Sequence, residues 1–470
     1  MILTLDIGTS SVRAICWSRT LQQLFAVSAE YRMNYALDGS ATVDADELVN
    51  LVFTTVDDVV RKCSVEYLAV AVSTFWHSLI ALDEDYKPKS ELLSWNDTRS
   101  RQAASLLRSH FDERSTHLRT GCRFHSSYWP AKIVYLQSLG VRAAKYASFS
   151  DYLFLKLFGK FKTTHSIASA TGLYQQSTGT WDEVLSEYLA VQDKLPAIDD
   201  EPETYLLQEY AQRWPALKKA IWYPPVGDGA ASNVGCGCLS DDKAALMIGT
   251  SGAIRIVTQK ALLLPALWQY KLDRSRAIVG AAVSNGGNLY RWLVDTLKLD
   301  SRLEEVAAQL AADSHGLTIL PHLSGERSPC WNDASVGVIL GLRLSTTALD
   351  IFRATLEALA LQFYPVFAQL EQAVGKPVST VVATGRALIE SQLLQRIFCD
   401  VLGVHLLVSD VAEASSRGAA LLALKYCGEH ITNLPSGRWL APDPRAHEVY
   451  VAAASRQYRL YKTLYPDVTC

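Results

Sequence analysis

Leu3-Thr4-Leu5-Asp6-Ile7-Gly8-Thr9-Ser10-Ser11-Val12-Arg13-Ala14-Ile15-Cys16 joins one apolar run to another through a turn of small residues that carries a single carboxylate. With Ile2, Leu3 and Leu5 before the turn and Val12, Ala14 and Ile15 after it, the pattern predicts a β-hairpin. Gly8 lets the backbone bend and approach a ligand closely, and Thr9, Ser10 and Ser11 line up hydroxyls and N–H groups suited to phosphate oxygens. Asp6 supplies the hard oxygen donor that magnesium takes.

Ala244-Ala245-Leu246-Met247-Ile248-Gly249-Thr250-Ser251-Gly252-Ala253-Ile254-Arg255-Ile256-Val257 repeats the same order. Two hairpins of one design imply two similar domains, although Gly-Thr-Ser also serves ordinary hairpin turns. Met247 stands where the first copy has Asp6, so only the N-terminal loop is equipped for a metal. At 470 residues the chain is long for one domain and natural for two of roughly 200 residues or more.

With 49% hydrophobic residues, 20% charged residues and a net charge of −3, the composition is that of a globular, enzyme-like protein and excludes a disordered or polyanion-binding one. The N-terminus enters a strand without a basic leader, and no apolar stretch approaches the ~20 residues that span a bilayer. The expectation is a cytoplasmic protein with no membrane or nucleic-acid partner. Nine scattered cysteines suit a reducing compartment, and Cys236-Gly237-Cys238 lacks the second pair or flanking histidine of a metal site.

In chain order, Asp44-Ala45-Asp46-Glu47 opens an amphipathic helix, and Leu68 to Ser73 reads as a buried strand that delivers Thr74-Phe75-Trp76-His77-Ser78, with a second strand at Leu79 to Leu82. Polar groups at the carboxyl end of such a strand line ligand clefts. Trp95-Asn96-Asp97-Thr98-Arg99 precedes a helix over about Ser100 to Ser109; the mix suits a polyol, and serves equally as a helix entrance capped by Asn96 or Asp97. Tyr128 to Lys132 begins another helix, and Asp151 to Phe158 is helical again. Ser166 to Leu173 is small and nearly uncharged, either close packing or loop. Asp199 to Pro225 reads as connecting structure, ending at Val226-Gly227-Asp228-Gly229, where Asp228 is either a ligand-facing carboxylate or part of a plain turn. Later expectations are helices from Asn285 to Leu297, Ser301 to Ala312, Ala348 to about Val374 and Leu388 to Leu402, a strand at Thr380 to Gly385, and a last core helix opened by Glu413-Ala414-Ser415-Ser416-Arg417-Gly418.

These segments resemble, across nearly the whole chain, the FGGY carbohydrate kinases of the actin, hexokinase and Hsp70 superfamily. The resemblance rests on Asp6 to Ser11, Trp95 to Arg99, Gly227 to Ala231, Ile248 to Gly252 and Gly325-Glu326-Arg327-Ser328-Pro329, and most specifically on Gly337 to Leu342 followed by Asp350 to Glu357. It implies an α/β fold of two ribonuclease-H-like domains around a central cleft, divided here as 1–234, binding the sugar, and 235–470, binding ATP. It further implies Asp228 as general base, Asp6 as the support of Mg2+, and Thr9, Ser10, Arg13, Gly249, Thr250 and Gly385 as nucleotide contacts. Trp76, His77, Trp95, Asn96, Asp97 and Asp228 are the implied substrate contacts.

Trp76 to Asp83, His125 to Lys132 and Ser166 to Leu173 look most like gluconokinases, whereas Trp95-Asn96-Asp97 looks more like xylulokinases. D-gluconate is therefore the expected acceptor, with D-xylulose or D-ribulose as alternatives and a non-catalytic, nucleotide-binding interaction protein as a third. An aldonate carboxylate calls for a cation, and Arg99, Arg123 and Lys132, with His77 or His125 as donors, are the candidates. Arg386 stands where relatives continue the adenosine turn with a second glycine, so its side chain must point away from the nucleotide or cover it. The sequence leaves a homodimer open.

Overall fold

The N-terminal hairpin pairs β1 (Ile2–Ile7) with β2 (Ser11–Trp17), Ile2 opposite Trp17 and Ile7 opposite Val12. The Gly8 N–H donates to the Ser11 carbonyl at 3.0 Å and closes the turn. The computed structural model describes residues 1–63, 65–298, 302–332, 334–429 and 436–468. Beyond β3 (Gln23–Glu30), helix α1 (Ala45–Lys62) starts at Asp44, whose side chain caps it by accepting the Glu47 N–H at 2.9 Å. Its Leu48, Val52, Val56 and Val59 are buried and lead back into β4 (Ala69–Thr74), parallel to β1. Helix α2 (Trp129–Ser138) has Pro130 in its first turn, where a missing N–H costs nothing.

The stretch expected as connecting structure contains a strand, β5 (Ile221–Gly227), parallel to β4. Pro224 and Pro225 hid it. They are tolerated because β5 is an edge strand of the sheet β5-β4-β1-β2-β3, and its register slips between Tyr223 and Val226. Helix α3 (Asp228–Gly235) follows without an intervening residue.

A second sheet runs β8-β9-β7-β6-β10-β11-β12, with β6 (Lys243–Ile248), β7 (Gly252–Thr258), β8 (Trp268–Lys271), β9 (Ala277–Val283), β10 (Thr380–Thr384), β11 (His405–Ser409) and β12 (Gly437–Leu440). Its β11-β10-β6-β7-β9 portion reproduces β5-β4-β1-β2-β3, including the antiparallel hairpin and the two parallel pairings. The duplication read from two loops therefore extends through five strands of each sheet.

Helix α4 (Ala414–Tyr426) follows β11 as α3 follows β5, and the two helices touch backbone to backbone. A Cβ on Gly235 would stand 1.8 Å from the Ala414 carbonyl oxygen, and one on Gly418 would stand 1.8 Å from that of Ala231. Compactness divides the chain into one unit of Met1–Gly235, Gln269–Ile278 and Glu413–Asn433 and another of Cys236–Trp268, Val279–Ala412 and Leu434–Cys470. Each has its own core, Leu3, Leu5, Leu48, Val72 and Trp222 in the first and Leu246, Ile254, Phe352, Phe363 and Ile397 in the second.

Three helical expectations change. The helix from Ala348 splits into Ala348–Leu361 and Phe363–Val374, because Pro365 has no N–H for the ladder and its ring excludes the carbonyl one turn back. The segment before Leu402 splits at Ser391, which caps the second piece by accepting the Leu394 N–H at 3.0 Å. Of the helix expected from Ser301 to Ala312 only Leu303–Ala307 is helical, and Ser301 lies outside the described residues. A long helix, Pro444–Leu464, was not singled out from the sequence. No described helix is long and apolar enough to cross a membrane.

Candidate active site

Strands β1, β4 and β5 lie side by side and parallel, so their carboxyl ends share one edge. The register aligns Asp6 with Ser73 and Val226, then Ile7 with Thr74 and Gly227. Asp228 comes next, as the first residue of α3. At a spacing of about 4.8 Å per strand, the strands leading to Asp6 and Asp228 are about 10 Å apart. That leaves room for a phosphoryl group in transfer. Between them the Ser73 and Thr74 hydroxyls are buried without a hydrogen-bond partner, a kind of group that calls for an explanation such as a ligand or ordered water.

Asp6, 2% exposed, lies opposite Arg13 in the hairpin, and α4 completes its surroundings. Ser415 Oγ donates to Asp6 Oδ2 at 2.9 Å, and Arg13 Nη2 approaches the same oxygen at 3.3 Å. Arg13 Nη1 donates to Glu413 Oε2 at 2.7 Å. Burial raises the Glu413 pKa, Arg13 opposes that shift and Asp6 adds to it. A carboxylate beside the hydroxyl-rich Thr9-Ser10 turn is a hard-oxygen donor set that fits Mg2+, whereas the equivalent Met247 offers no oxygen. Asp6→Ala is expected to raise the Mg2+ concentration for half-maximal turnover by about tenfold or more, with Met247→Ala near wild type. A Mg2+ titration giving equal responses would reject a single metal-supporting hairpin.

The other side of Asp228 is aromatic. Gly227 must be glycine because the Trp76 indole covers it: a Cβ there would lie 1.9 Å from the ring. Trp76 Nε1 donates to the Ser166 carbonyl at 2.9 Å, and the Gly227 N–H donates to Ser166 Oγ at 3.1 Å. His77, in the left-handed region at φ 68°, places Nδ1 2.6 Å from the Ala170 carbonyl, which requires the proton on that nitrogen. Tyr270 packs against Trp76 and His77 with ring centroids 5.1 and 5.5 Å away, and its hydroxyl meets that of Tyr128 at 2.7 Å. Ser166 to Leu173 is thus buried close packing, with a short helix at His165–Ala168.

In the Trp95 to Arg99 loop, Asn96 Nδ2 donates to Tyr35 Oη at 3.3 Å, while its Oδ1 is buried without a partner. Asp97 is spent within the loop: it is 1% exposed and accepts from the Ala41 and Arg99 N–H groups and from the Arg99 guanidinium, the shortest contact being 2.6 Å. Ser100 holds the N-cap position of the following helix without a side-chain capping bond, its hydroxyl donating to the Ser126 carbonyl at 3.0 Å, so neither Asn96 nor Asp97 is the N-cap. Of the candidate cations, Arg99 is thereby committed to Asp97 and lies over the Tyr135 ring. Lys132 is fully buried and donates to two main-chain carbonyls. Arg123 has a long ion pair, 3.7 Å, to Glu113, a carboxylate it shares with Arg108 at 3.1 Å. The Ser127 N–H donates to His125 Nδ1 at 3.1 Å, which leaves the proton of the neutral ring on Nε2.

Gly249, Thr250 and Gly385 gather in the second unit. The Gly287 N–H, at the start of the helix Gly287–Leu297, donates to the Gly249 carbonyl at 2.7 Å. A Cβ on Gly385, at φ 86°, would stand 2.5 Å from the Ile248 carbonyl oxygen. Such glycine-lined main chain at a helix start suits phosphate. Arg386 turns to solvent, 86% exposed, and pairs with Glu390 at 2.8 Å. Asp313, His315 and Glu357 also cluster here, but Arg456 and Arg353 already pair with the two carboxylates, each at 2.6 Å. Cys236 and Cys238 are buried thiols in mutual contact at 3.7 Å.

Tyr270, Glu413 and Ser415 escaped the sequence reading. Each joins the first unit from far along the chain, and the sole hint was the polar opening of the last core helix.

A doubled five-strand sheet with a glycine-rich hairpin in each copy and a carboxylate at a helix start is an arrangement that suits a phosphate group beside a proton acceptor. Residues 1–235 match the N-terminal domain and residues 244–426 the C-terminal domain of the FGGY family of carbohydrate kinases. The chain belongs to that family and is a phosphotransferase that uses ATP. It is 28% identical to a gluconokinase of Bacillus licheniformis over 91% of this chain and 88% of that one. A glycerol kinase of Geobacter sp. (strain M21) is also 28% identical, over 93% and 92%. Among solved structures, gluconate kinase from Lactobacillus acidophilus superimposes with a TM-score of 0.93 at 23% identity, covering 98% of each chain. Ligand-bound xylulose kinase from the same organism gives 0.93 at 23%, covering 99% and 98%.

Proposed function

We propose that the protein phosphorylates D-gluconate at its terminal hydroxyl, giving 6-phosphogluconate and ADP. The observation that carries this reading is the convergence of the three gluconokinase-like segments beside Asp228. Ser166 joins Trp76 to Gly227, Ala170 holds His77, and the Trp129 N–H donates to the Thr171 carbonyl at 2.8 Å. The kinship to gluconokinases along 91% of the chain supports it.

A sugar hydroxyl is a poor nucleophile at neutral pH. Asp228, its Oδ1 steadied by the Gly229 N–H at 2.7 Å, accepts the hydroxyl proton as the oxygen forms its bond to the γ-phosphorus and the bond to ADP breaks. Thr9, Ser10 and Arg13 hold the transferring group, and Gly249, Thr250 and Gly385 hold the nucleotide. Asp6 supports Mg2+, which when bound neutralises phosphate charge. A free sugar acid and ATP as substrates put the place of action in the cytoplasm.

Gluconate differs from a ketose by its carboxylate, and of the candidate cations Arg123, which pairs with Glu113 at 3.7 Å, is the guanidinium proposed to meet it. Arg123→Leu is expected to raise KM for gluconate by about tenfold or more, the worth of one charge-assisted contact, and to leave KM for a ketose within about twofold. The identity of the acceptor is tested by ADP release with MgATP and gluconate, D-xylulose, D-ribulose or glycerol. A ketose preferred by about tenfold in kcat/KM would replace gluconate with the pentulose reading favoured by Trp95-Asn96-Asp97, and no stimulation by any of the four would reject both gluconate and the pentuloses as acceptor.

A further inference from the structure

Lys132 is a cation that the reaction described above does not use. It sits in the first turn of α2 with none of its surface exposed. Its Nζ donates to the His77 carbonyl at 2.6 Å and to the Ser94 carbonyl at 2.8 Å. Burial lowers its pKa to about 7, and the charge of Asp97 pulls in the opposite direction. An ammonium in such a place is expensive, and methionine or leucine would fill the volume more cheaply. What neither can supply is a single atom that satisfies carbonyls from two separate loops.

Those two loops carry the residues read above as acceptor contacts. His77 follows β4 and holds a left-handed φ of 68°, unfavourable for a residue with a Cβ unless its surroundings over-determine it. Ser94 immediately precedes Trp95 and Asn96. The turn of α2 that carries Lys132 is itself anchored to the first loop, Trp129 Nε1 donating to the Ser78 carbonyl at 2.8 Å.

We propose that Lys132 is a positioning residue of the acceptor site, its ammonium fixing the spacing between the His77 loop and the Trp95-Asn96 loop, so that acceptor binding depends on it and nucleotide binding does not. This rests on the reading of Trp76, His77, Trp95 and Asn96 as acceptor contacts.

The test uses the full-length protein, the acceptor that wild type turns over best, and two variants. Lys132→Met keeps the volume and loses the donors; Lys132→Arg keeps donors and charge. The expected result is an acceptor KM raised about tenfold or more in Lys132→Met, a MgATP KM within about twofold of wild type, and partial recovery of acceptor KM in Lys132→Arg. A folded Lys132→Met with an unchanged acceptor KM overturns the proposal, as do equal rises in both KM values, which a merely structural role would give. If Lys132→Met does not fold, Lys132→Gln, which keeps a polar end but loses the charge and the reach to both carbonyls, decides by the same comparison: a rise confined to the acceptor supports the role, and no rise or an equal rise rejects it. Failure of the kinase reading is separate, since wild type would then turn over no acceptor.

Discussion

Asp228→Asn should lower kcat by about 10²- to 10⁴-fold, the span lost when a positioned base is removed from proton transfer. The amide has the shape of the carboxylate, and its oxygen can still accept the Gly229 N–H that now reaches Asp228 Oδ1 at 2.7 Å, so α3 keeps its start. What it cannot do is take the proton of the attacking hydroxyl. Affinity for MgATP, measured by calorimetry, should stay within about twofold, because the assigned nucleotide contacts lie elsewhere. A variant keeping more than about a tenth of the wild-type rate would exceed what loss of a base permits and would remove Asp228 from that role.

Gly418→Ala should destabilise the first unit by about 3 kcal/mol or more, within the range of overpacking and backbone displacement. The added methyl would stand 1.8 Å from the Ala231 carbonyl oxygen, which is main chain of α3 and has no rotamer to yield. The helices must separate, and Gly235 against Ala414 shows that the contact is reciprocal, so no tilt relieves one side without crowding the other. In a thermal melt this corresponds to a fall of about 6–12 °C in the transition of that unit. A variant melting within about 2 °C of wild type would show that the helix pair can spread without loss. Surviving activity should fall as well, since α3 starts at Asp228 and α4 brings Ser415 to Asp6.

The duplicated hairpin was legible because a hairpin is local: largely apolar runs flank a Gly-Thr-Ser turn, and nothing distant is needed to form it. Strand β5 was not, because its prolines read as loop until its edge position and slipped register are known. Asp228, Trp76 and His77 stood out through their motifs, and Gly227 proved to be the floor on which Trp76 lies. Arg99 and Lys132 show the limit from the other side. A sequence displays a cation but not its partner, and here one is spent on Asp97 and the other on two carbonyls. Glu413 and Ser415 reach Arg13 and Asp6 across some four hundred positions, a separation at which composition carries no signal.

The membership of α4 in the first unit has a bearing on how the chain is made. A ribosome releases Asp6, Arg13 and the small face of α3 long before Glu413, Ser415 and Gly418 exist. The first half cannot finish folding as it emerges; its sheet must wait, with Gly235 and Ala231 uncovered, while about three quarters of the second half is synthesised. A nascent chain stalled before Ala414 should accordingly be readily cleaved by protease around α3, and a truncated gene product ending at Gly235 should need the missing helix supplied in trans before it becomes resistant.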